Sequence, residues 1–272
     1  MPGTLYLVAT PIGNLEDITL RAVRVLREAD LIACEDTRQT GKLLQHFGII
    51  AKPMVSYHEH NEAARTQELV AKLESGTNIA LVSDAGTPLV SDPGYRLVIA
   101  AADAGITVVP IPGASAILGA LAAAGLPTDA FRFSGFLPAK TGQRKKALEE
   151  LRGEDCTLIF YEAPHRILDA LSDIAAVYGE RPVVVARELT KMHEEFLRGT
   201  AEEVRATLAA RPSVKGEITL LIGKGPPVVS ATPVEDAVRE LEQRGVPRMD
   251  AIKQVARERG LSKREVYSRV TG

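Results

Sequence analysis

Acidic residues flank a run of small side chains that follows an apolar segment in the first third of the sequence. Residues 85–87 are Ala, Gly and Thr, so a ligand could lie directly against their backbone N–H and C=O groups. Asp84 and Asp92 stand on either side, and residues 78–94 contain no Lys or Arg. A polyphosphate would therefore be repelled, whereas S-adenosylmethionine, with its ribose diol, ammonium group and sulfonium, would fit. An ordinary turn whose acids only cap a helix is the alternative.

Residues 57–62 form a polar segment in which His58 and His60 lie two positions apart. Two histidines beside a glutamate can bind zinc. Because no third His or Cys is close in sequence, we predict a polar loop that faces substrate and no metal site. An unperturbed imidazole ionises near neutral pH, and His58 is therefore a candidate proton acceptor.

Three further clusters combine charged and hydrogen-bonding side chains. Residues 161–166 and 186–191 each place acidic and basic groups directly after a predicted strand, as active sites often do. Helix caps and surface salt bridges are the alternative for both. The third cluster is basic and could bind phosphates or form a solvated helix face. It consists of Lys140, Arg144, Lys145 and Lys146.

The composition is that of a soluble globular protein, with 272 residues, of which 45% are hydrophobic and 25% charged. No apolar run approaches the ~18 residues of a membrane span, and the chain begins with a strand-like pattern. We therefore predict no membrane span, no signal peptide and a cytoplasmic location. Cys34 and Cys156 are far apart in apolar surroundings, which indicates buried thiols rather than a disulfide or a metal site.

Strands alternate with helices through the first half of the sequence, which predicts a parallel α/β sheet with ligands at the carboxyl ends of its strands. The helix after the fourth strand is predicted to begin at Ser91, Asp92 and Pro93. The loop at 10–14 would share the binding edge of the sheet with residues 85–88. The predicted strands comprise residues 5–8, 31–34, 54–57, 79–82 and 107–111.

A second α/β unit is predicted where the pattern of strands and helices resumes after residue 113. Its predicted strands comprise residues 131–135, 157–161, 183–186 and 218–222. A Gly- and Pro-rich linker and a tail of three short helices, spaced as in a helix-turn-helix unit, complete the chain. The tail is mildly basic, with nine Lys and Arg against seven Asp and Glu. The predicted boundaries are 1–113 and 114–224 for the two domains, 225–232 for the linker and 233–272 for the tail.

Four segments, in this order, resemble the ribosomal RNA small subunit methyltransferase I family. They comprise residues 9–19, 83–94, 161–166 and 186–191. The resemblance implies the tetrapyrrole-methylase fold, in which two α/β domains hold S-adenosylmethionine in the cleft between them, and a homodimer. It also implies 2′-O-methylation of a cytidine ribose in the decoding region of 16S ribosomal RNA, as free RNA or in the assembled 30S subunit. By motif position, the implied cofactor contacts are Pro11, Ala85, Gly86, Thr87, Val90, Ser115, Ala116, Tyr161, Glu162 and Leu189.

Methyl transfer from a sulfonium depends mainly on positioning of the acceptor oxygen, and a side chain that accepts the hydroxyl proton adds about 10²–10⁴-fold. Our candidates for this acceptor are Asp84, His58 and Lys191, the last only if burial lowers its pKa. Basic side chains in the first domain, the basic cluster and the tail are predicted to hold RNA phosphates. They are Arg38, Lys140, Arg144, Lys145, Lys146, Arg248, Lys253, Arg257, Lys263 and Arg264.

Two other functions are compatible with an α/β body and a helical tail. One is C-methylation of a tetrapyrrole by an enzyme of the same fold, against which the family motifs and the basic tail argue. The other is a non-enzymatic regulator that senses a ligand and binds DNA through the tail. Such a regulator does not need polar clusters at strand ends in both domains, so the methyltransferase is our prediction.

Overall fold

A computed structural model describes residues 1–225 and 232–271 of the chain. These residues form two five-stranded sheets with their helices, followed by a unit of three helices. Most of the predicted linker, 225–232, and residue 272 at the end of the predicted tail lie outside the described residues. No described helix has the length and apolar character needed to cross a membrane.

The first sheet is entirely parallel, with the strand order β3-β2-β4-β1-β5. The central pair, β1 and β4, is in register from Leu5 opposite Ile79 to Val8 opposite Val82. Their carboxyl ends therefore meet at the same edge, as the sequence predicted. The strands are β1 (Thr4–Val8), β2 (Leu31–Cys34), β3 (Met54–Ser56), β4 (Ile79–Val82) and β5 (Thr107–Ile111).

Helices cover both faces of this sheet, which explains why β4 is a continuous apolar run with every residue buried. Ala80 and Val82 pack in one apolar cluster with α1 and α2, and Ile79 and Leu81 pack in another with α3 and α4. Thr19 caps the first helix by accepting a hydrogen bond from the backbone N–H of Ala22. The helices are α1 (Leu20–Glu28), α2 (Thr37–His46), α3 (Glu62–Glu74) and α4 (Tyr95–Asp103), and a short 3₁₀ helix (Leu15–Asp17) precedes α1.

The predicted start of the fourth helix is wrong. This helix begins at Tyr95, and its N-cap residue is Gly94 at φ 137°. A Cβ at Gly94 would lie only 2.8 Å from Leu81 Cδ2, so a glycine is needed where the loop crosses β4. Ser91 has a left-handed backbone (φ 65°), and Asp92 lines a cavity. The acid is therefore available to a ligand and does not serve as a helix cap.

The second sheet is mixed, with the strand order β6-β7-β10-β8-β9. Only β6 and β7 are parallel, while β10 runs antiparallel to both of its neighbours. Sequence analysis missed β9, an edge strand whose polar ends and Gly199 do not alternate clearly. The strands are β6 (Phe131–Phe136), β7 (Thr157–Glu162), β8 (Pro182–Arg187), β9 (Glu195–Thr200) and β10 (Ile218–Ile222). Its helices are α5 (Ala116–Ala124), α6 (Thr141–Glu150), α7 (Ile167–Tyr178) and α8 (Ala201–Ala209).

The three tail helices form a small apolar core of their own. Val238, Ile252 and Val266, one from each helix, are fully buried in it. The prediction of three short helices in the tail is thus confirmed. They are α9 (Val234–Gln243), α10 (Arg248–Glu258) and α11 (Lys263–Thr271).

Arg144 lies inside the second α/β unit and not on its surface. Its side chain is 2% exposed, and Nε donates a 2.7 Å hydrogen bond to Oδ2 of Asp173 on α7. Nη1 also donates to the carbonyl oxygens of Pro138 and Ala139. The prediction that Arg144 binds RNA phosphate is therefore wrong, because its guanidinium is buried and fully engaged in packing α6 on α7. Lys140 and Lys146 are exposed, and Lys145 Nζ lies 3.6 Å from Asp173.

Replacement of Asp173 by Ala should destabilise the second α/β unit by about 3–5 kcal/mol, because it leaves the buried Arg144 guanidinium without a counter-charge. The measurement is urea unfolding of the full chain followed by circular dichroism. Lys146→Ala is the control, since the exposed Lys146 lies 4.0 Å from Glu150 and its loss should change stability little. Equal effects of the two substitutions would contradict the structural role of the buried pair.

Candidate active site

The loops that follow β1 and β4 are joined by a reciprocal pair of backbone hydrogen bonds. Thr10 N–H donates to the Gly86 carbonyl at 2.9 Å, and Gly86 N–H donates to the Thr10 carbonyl at 3.0 Å. The buried hydroxyls of Thr10 and Ser83 add bonds to the Ser83 and Gly86 carbonyls, respectively. The two loops are therefore one rigid unit at the carboxyl edge of the first sheet.

A cavity of about 400 Å³ opens beside this unit, between the first and second sheets. This volume is typical of a site for a small organic ligand. Every predicted cofactor residue except Pro11 lines it. These residues are Ala85, Gly86, Thr87, Val90, Ser115, Ala116, Tyr161, Glu162 and Leu189.

The cavity also has lining residues that sequence reasoning missed. Residues 216–219 belong to it because β10 runs antiparallel, so that Ile218 at its amino end lies opposite Glu162 and Arg187 at the carboxyl ends of β7 and β8. The direction of β10 could not be read from its own residues. Ile12, Ser91, Asp92, Phe136, Ala163 and Pro164 complete the additional lining.

Strained backbone is concentrated in the two loops that border the cavity. Leu89 (φ 73°) and Ser91 (φ 65°) follow β4, and Glu188 (φ 53°) and Thr190 (φ 64°) follow β8. A left-handed conformation destabilises a residue that carries a Cβ by roughly 1–2 kcal/mol. Such strain is kept where a fixed loop shape serves a ligand.

An acidic group borders the cavity on the side of the first sheet. Burial, and then the charge of Glu35, raise the pKa of the Asp92 carboxyl to about 6, against the opposing effect of a hydrogen bond with Ser83; Asp84 adds a smaller increase. Burial and then Asp84 likewise raise the pKa of Glu35. The negative charges of Glu35 and Asp84 thus act on the Asp92 carboxyl, and a cationic ligand would relieve this repulsion.

On the side of the second sheet, Glu162 and Tyr161 end β7 at the cavity. The Glu162 carboxylate accepts a hydrogen bond from Ala163 N–H at 2.7 Å and pairs with Arg166 at 2.9 Å. Burial raises the pKa of the Tyr161 hydroxyl, and the charge of Asp92 adds to this effect. The Phe136 ring is tilted by 59° against the Tyr161 ring, with centroids 5.6 Å apart, and is itself exposed. The wall opposite the acidic group therefore combines aromatic rings with the ion-paired carboxylate of Glu162.

A second, smaller pocket of about 270 Å³ lies on the other side of the joined loops. Pro11 and Asp84, which sequence analysis assigned to the cofactor and to proton transfer, line this pocket and not the larger cavity. Asp84 Oδ1 accepts a hydrogen bond from the backbone N–H of Asp36 at 3.2 Å. Its remaining lining residues are Thr10, Leu15, Gln39, Thr40, Lys42, Leu43 and Ser83.

Lys191 does not meet the condition set for a proton acceptor. Its Nζ lies 3.0 Å from Glu188 Oε1 and 2.9 Å from Glu217 Oε2. Burial lowers the pKa of Lys191, but the hydrogen bonds to Glu217 and Glu188 outweigh burial and raise the pKa above its ordinary value. The ammonium therefore keeps its proton, and the assignment of Lys191 as a base is wrong.

His58 lies in the loop after β3 and lines neither cavity. Its ring Nε2 is 3.2 Å from Asn61 Nδ2, and its Nδ1 is buried without a hydrogen-bond partner among the described residues. Burial and then Asp84 raise the pKa of Glu35, and His58 exerts a smaller opposing effect, so the imidazole lies near the acidic group. Within residues 1–225 and 232–271, no group of three or more His, Cys, Asp or Glu could hold a metal ion.

Some of the basic side chains predicted to contact RNA form ion pairs within the chain, and others do not. Arg38 is exposed but pairs with Asp36 at 2.8 Å, and this hydrogen bond lowers the pKa of Asp36 to about 2. In the tail, Lys253 pairs with Asp250 at 2.7 Å, and Arg248 lies 3.9 Å from Glu242. Lys263 and Arg264 are exposed on α11, and the side chain of Arg257 lies outside the described residues.

Comparison with known proteins assigns the fold and the family. The family model of Tetrapyrrole (Corrin/Porphyrin) Methylases matches residues 4–205. Among solved structures, diphthine synthase superposes with a TM-score of 0.64 at 17% identity, over 81% of this chain and 90% of that one. Uroporphyrin-III C-methyltransferase from Thermus thermophilus, complexed with S-adenosyl homocysteine, gives a TM-score of 0.55 at 19% identity, over 81% and 97%. The predicted two-unit α/β fold is confirmed.

Curated relatives are similar over almost the whole chain. Ribosomal RNA small subunit methyltransferase I of Halalkalibacterium halodurans is 53% identical over 98% of this chain and 94% of the relative. The proteins of the same name from Synechocystis sp. and Escherichia coli O157:H7 are 53% and 50% identical, over 97% of this chain in each case and 96% and 93% of the relatives. This chain therefore belongs to the ribosomal RNA small subunit methyltransferase I family, within the tetrapyrrole methylases.

Proposed function

We propose that this protein transfers a methyl group from S-adenosylmethionine to the 2′-hydroxyl of a cytidine in the decoding region of 16S ribosomal RNA. The observation that carries the proposal is the cavity of about 400 Å³ between the two sheets, lined by nearly all of the residues that the family motifs imply for the cofactor. The names of the curated relatives support ribosomal RNA as the acceptor.

S-adenosylmethionine fits the residues around the larger cavity. Bound there, it would supply an electrophilic methyl group on a sulfonium. Gly86 lines the cavity without a side chain, so a ligand can approach its backbone closely. Asp92 and its acidic neighbours favour the cation, and Tyr161 and Leu189 offer an apolar wall that excludes water. The chain itself thus contributes orientation and electrostatic complementarity.

Asp92 is our candidate for the side chain that accepts the ribose hydroxyl proton. It is the member of the acidic group that lines the cavity itself, whereas Asp84 lines the smaller pocket. A carboxylate with a pKa of about 6 is ionised at neutral pH and is a better base than an ordinary aspartate. Sequence analysis noted Asp92 as a flanking charge and as part of a helix start, because its burial beside Glu35 depends on the fold.

Asp92→Asn should lower the single-turnover rate of methyl transfer by about 10²–10⁴-fold at pH 7.5, because the amide cannot accept the proton. The wild-type rate should fall as the pH drops through about 6, where the carboxyl becomes protonated. The variant should lack this dependence. Asp103→Asn, on the exposed end of α4, is the matched control. A variant that keeps the wild-type pH profile would show that Asp92 is not the acceptor.

The acceptor itself can be identified with radiolabelled S-adenosylmethionine. Unmethylated 30S subunits and naked 16S RNA are incubated separately with the protein, and the labelled nucleoside is identified after digestion. We expect label on a cytidine ribose, and the better substrate shows how much the ribosomal surface contributes. Absence of label from both, with cofactor binding intact, would redirect the search to small-molecule acceptors.

We propose that the tail binds RNA phosphates through Lys263 and Arg264. Both are exposed on α11 and have no ion-pair partner within the described part of the chain. Lys140 and Lys146 are exposed in the second unit and extend the proposal to α6. Phosphate contacts of this kind contribute affinity without sequence preference.

Replacement of both Lys263 and Arg264 by Gln should weaken binding to the methylation substrate and reduce the slope of log affinity against log salt by roughly 1.4–1.8, since each phosphate contact contributes about 0.7–0.9. Filter binding at several salt concentrations measures both quantities. Arg24→Gln is the control, since it removes one positive charge at an exposed pair on α1, away from the tail. An unchanged slope would remove these residues from the RNA interface.

We also propose the domain boundaries 1–113 and 114–224, a linker at 225–232 and a tail at 233–272, supported by the two separate sheets and by the apolar core of the tail.

The family resemblance supports a homodimer in the cytoplasm that acts on the 30S subunit or its RNA. Light scattering of the purified protein measures the oligomeric state.

A further inference from the structure

The smaller pocket is not explained by cofactor binding. Its walls are apolar at Pro11, Leu15 and Leu43, while Gln39, Lys42 and Asp84 provide polar groups. At about 270 Å³ it is smaller than most sites for drug-sized ligands. Apolar walls combined with a few polar side chains are typical of a pocket for a flat heterocycle.

The position of this pocket relates it to the reaction. Thr10 and Ser83 line the smaller pocket, whereas Ile12 and Gly86, which come shortly after them in the same two loops, line the larger cavity. The two spaces are therefore neighbours on either side of the joined loops. A nucleotide that crosses these loops would place its base on one side and its ribose near the cofactor on the other.

The polar groups of the pocket distinguish cytosine from uracil. Asp84 uses Oδ1 to accept from Asp36 N–H, which leaves Oδ2 to accept from a ligand. Gln39 and Lys42 are exposed, and in the described residues their side chains form no hydrogen bond or ion pair, so both can donate. Cytosine presents an amino donor at N4 beside acceptors at N3 and O2. Uracil presents a carbonyl acceptor in place of the amino group, and a carboxylate would repel it.

We infer that the smaller pocket holds the target cytosine, turned out of the RNA, with Asp84 accepting a hydrogen bond from its N4 amino group and Gln39 and Lys42 donating to its ring acceptors. Enzymes that do chemistry on a base extrude it and read its Watson–Crick edge by hydrogen bonds, and we infer the same mode of base reading here. The inference rests on the proposed function and gives Asp84 a role in base selection, separate from proton transfer at Asp92.

The test compares RNA substrates that carry C or U at the methylated position. Wild-type protein should label the ribose of C much faster than that of U under single-turnover conditions. Asp84→Asn should lower this C to U rate ratio roughly 10–100-fold, because the amide can donate to O4 of uracil and no longer excludes it. The asparagine keeps an oxygen for Asp36 N–H, so the loop should retain its shape. Binding of S-adenosyl homocysteine and the melting temperature should remain as in the wild type.

Matched variants separate base selection from catalysis. Asp92→Asn should lower the rates on C and U by the same factor, and Asp103→Asn should change neither. Gln39→Ala should raise KM for the C substrate more than it lowers kcat. If Asp84→Asn leaves the C to U rate ratio unchanged, whether or not both rates fall, the role of Asp84 in base selection is overturned. If wild-type protein labels no RNA at all, the proposed function fails, and the inference fails with it.

Discussion

Two backbone hydrogen bonds between Thr10 and Gly86 hold together the loops that follow the central strands of the first sheet. Both sites to which we assign ligand binding border these loops. The larger cavity lies on one side of them and the smaller pocket on the other. Because β1 and β4 are adjacent and parallel, their ends emerge side by side, and the short bond pair is enough to fix both loops. The parallel sheet thus determines where a ligand can bind.

The second sheet completes the site through contacts with the same loops. Asn14 N–H donates to Thr190 Oγ1 at 3.1 Å. Gly13 passes so close to Lys191 that a Cβ there would lie 2.4 Å from Cγ of the lysine. Lys191 in turn is held by Glu188 and Glu217. Lys191 therefore packs between the two units. This packing role accounts for its place in the motif at residues 186–191, although the lysine is not a base.

Sequence alone predicted what depends on local pattern. The apolar run of β4 and the small residues after β4 each carry a signal within a few positions, and the structure contains the corresponding elements. Prediction from the sequence failed where a residue distant in sequence determines the role of a side chain. Arg144 resembles its lysine neighbours until Asp173 is placed beside it.

The same limit applies to the site. The pKa of Lys191 depends on Glu217, which is far away in sequence, and that of Asp92 depends on Glu35. The lining at residues 216–219 depends on the direction of β10 in the sheet. Edge strand β9 was missed because a strand with one paired side needs little apolar alternation. Charged partners that are distant in sequence, and the direction of each strand in its sheet, are therefore what the structure adds to the sequence.

The left-handed residues at Leu89 and Ser91 have a consequence for how the site meets its ligand. Glycine at these positions would remove the steric strain, but it would also widen the range of shapes that the loop can adopt. A side chain with a Cβ narrows that range, and the surrounding fold selects the strained shape from the few that remain. Ordering of the loop then takes place when the chain folds. A ligand that binds to the ordered loop therefore loses less affinity to conformational entropy than it would with a flexible loop.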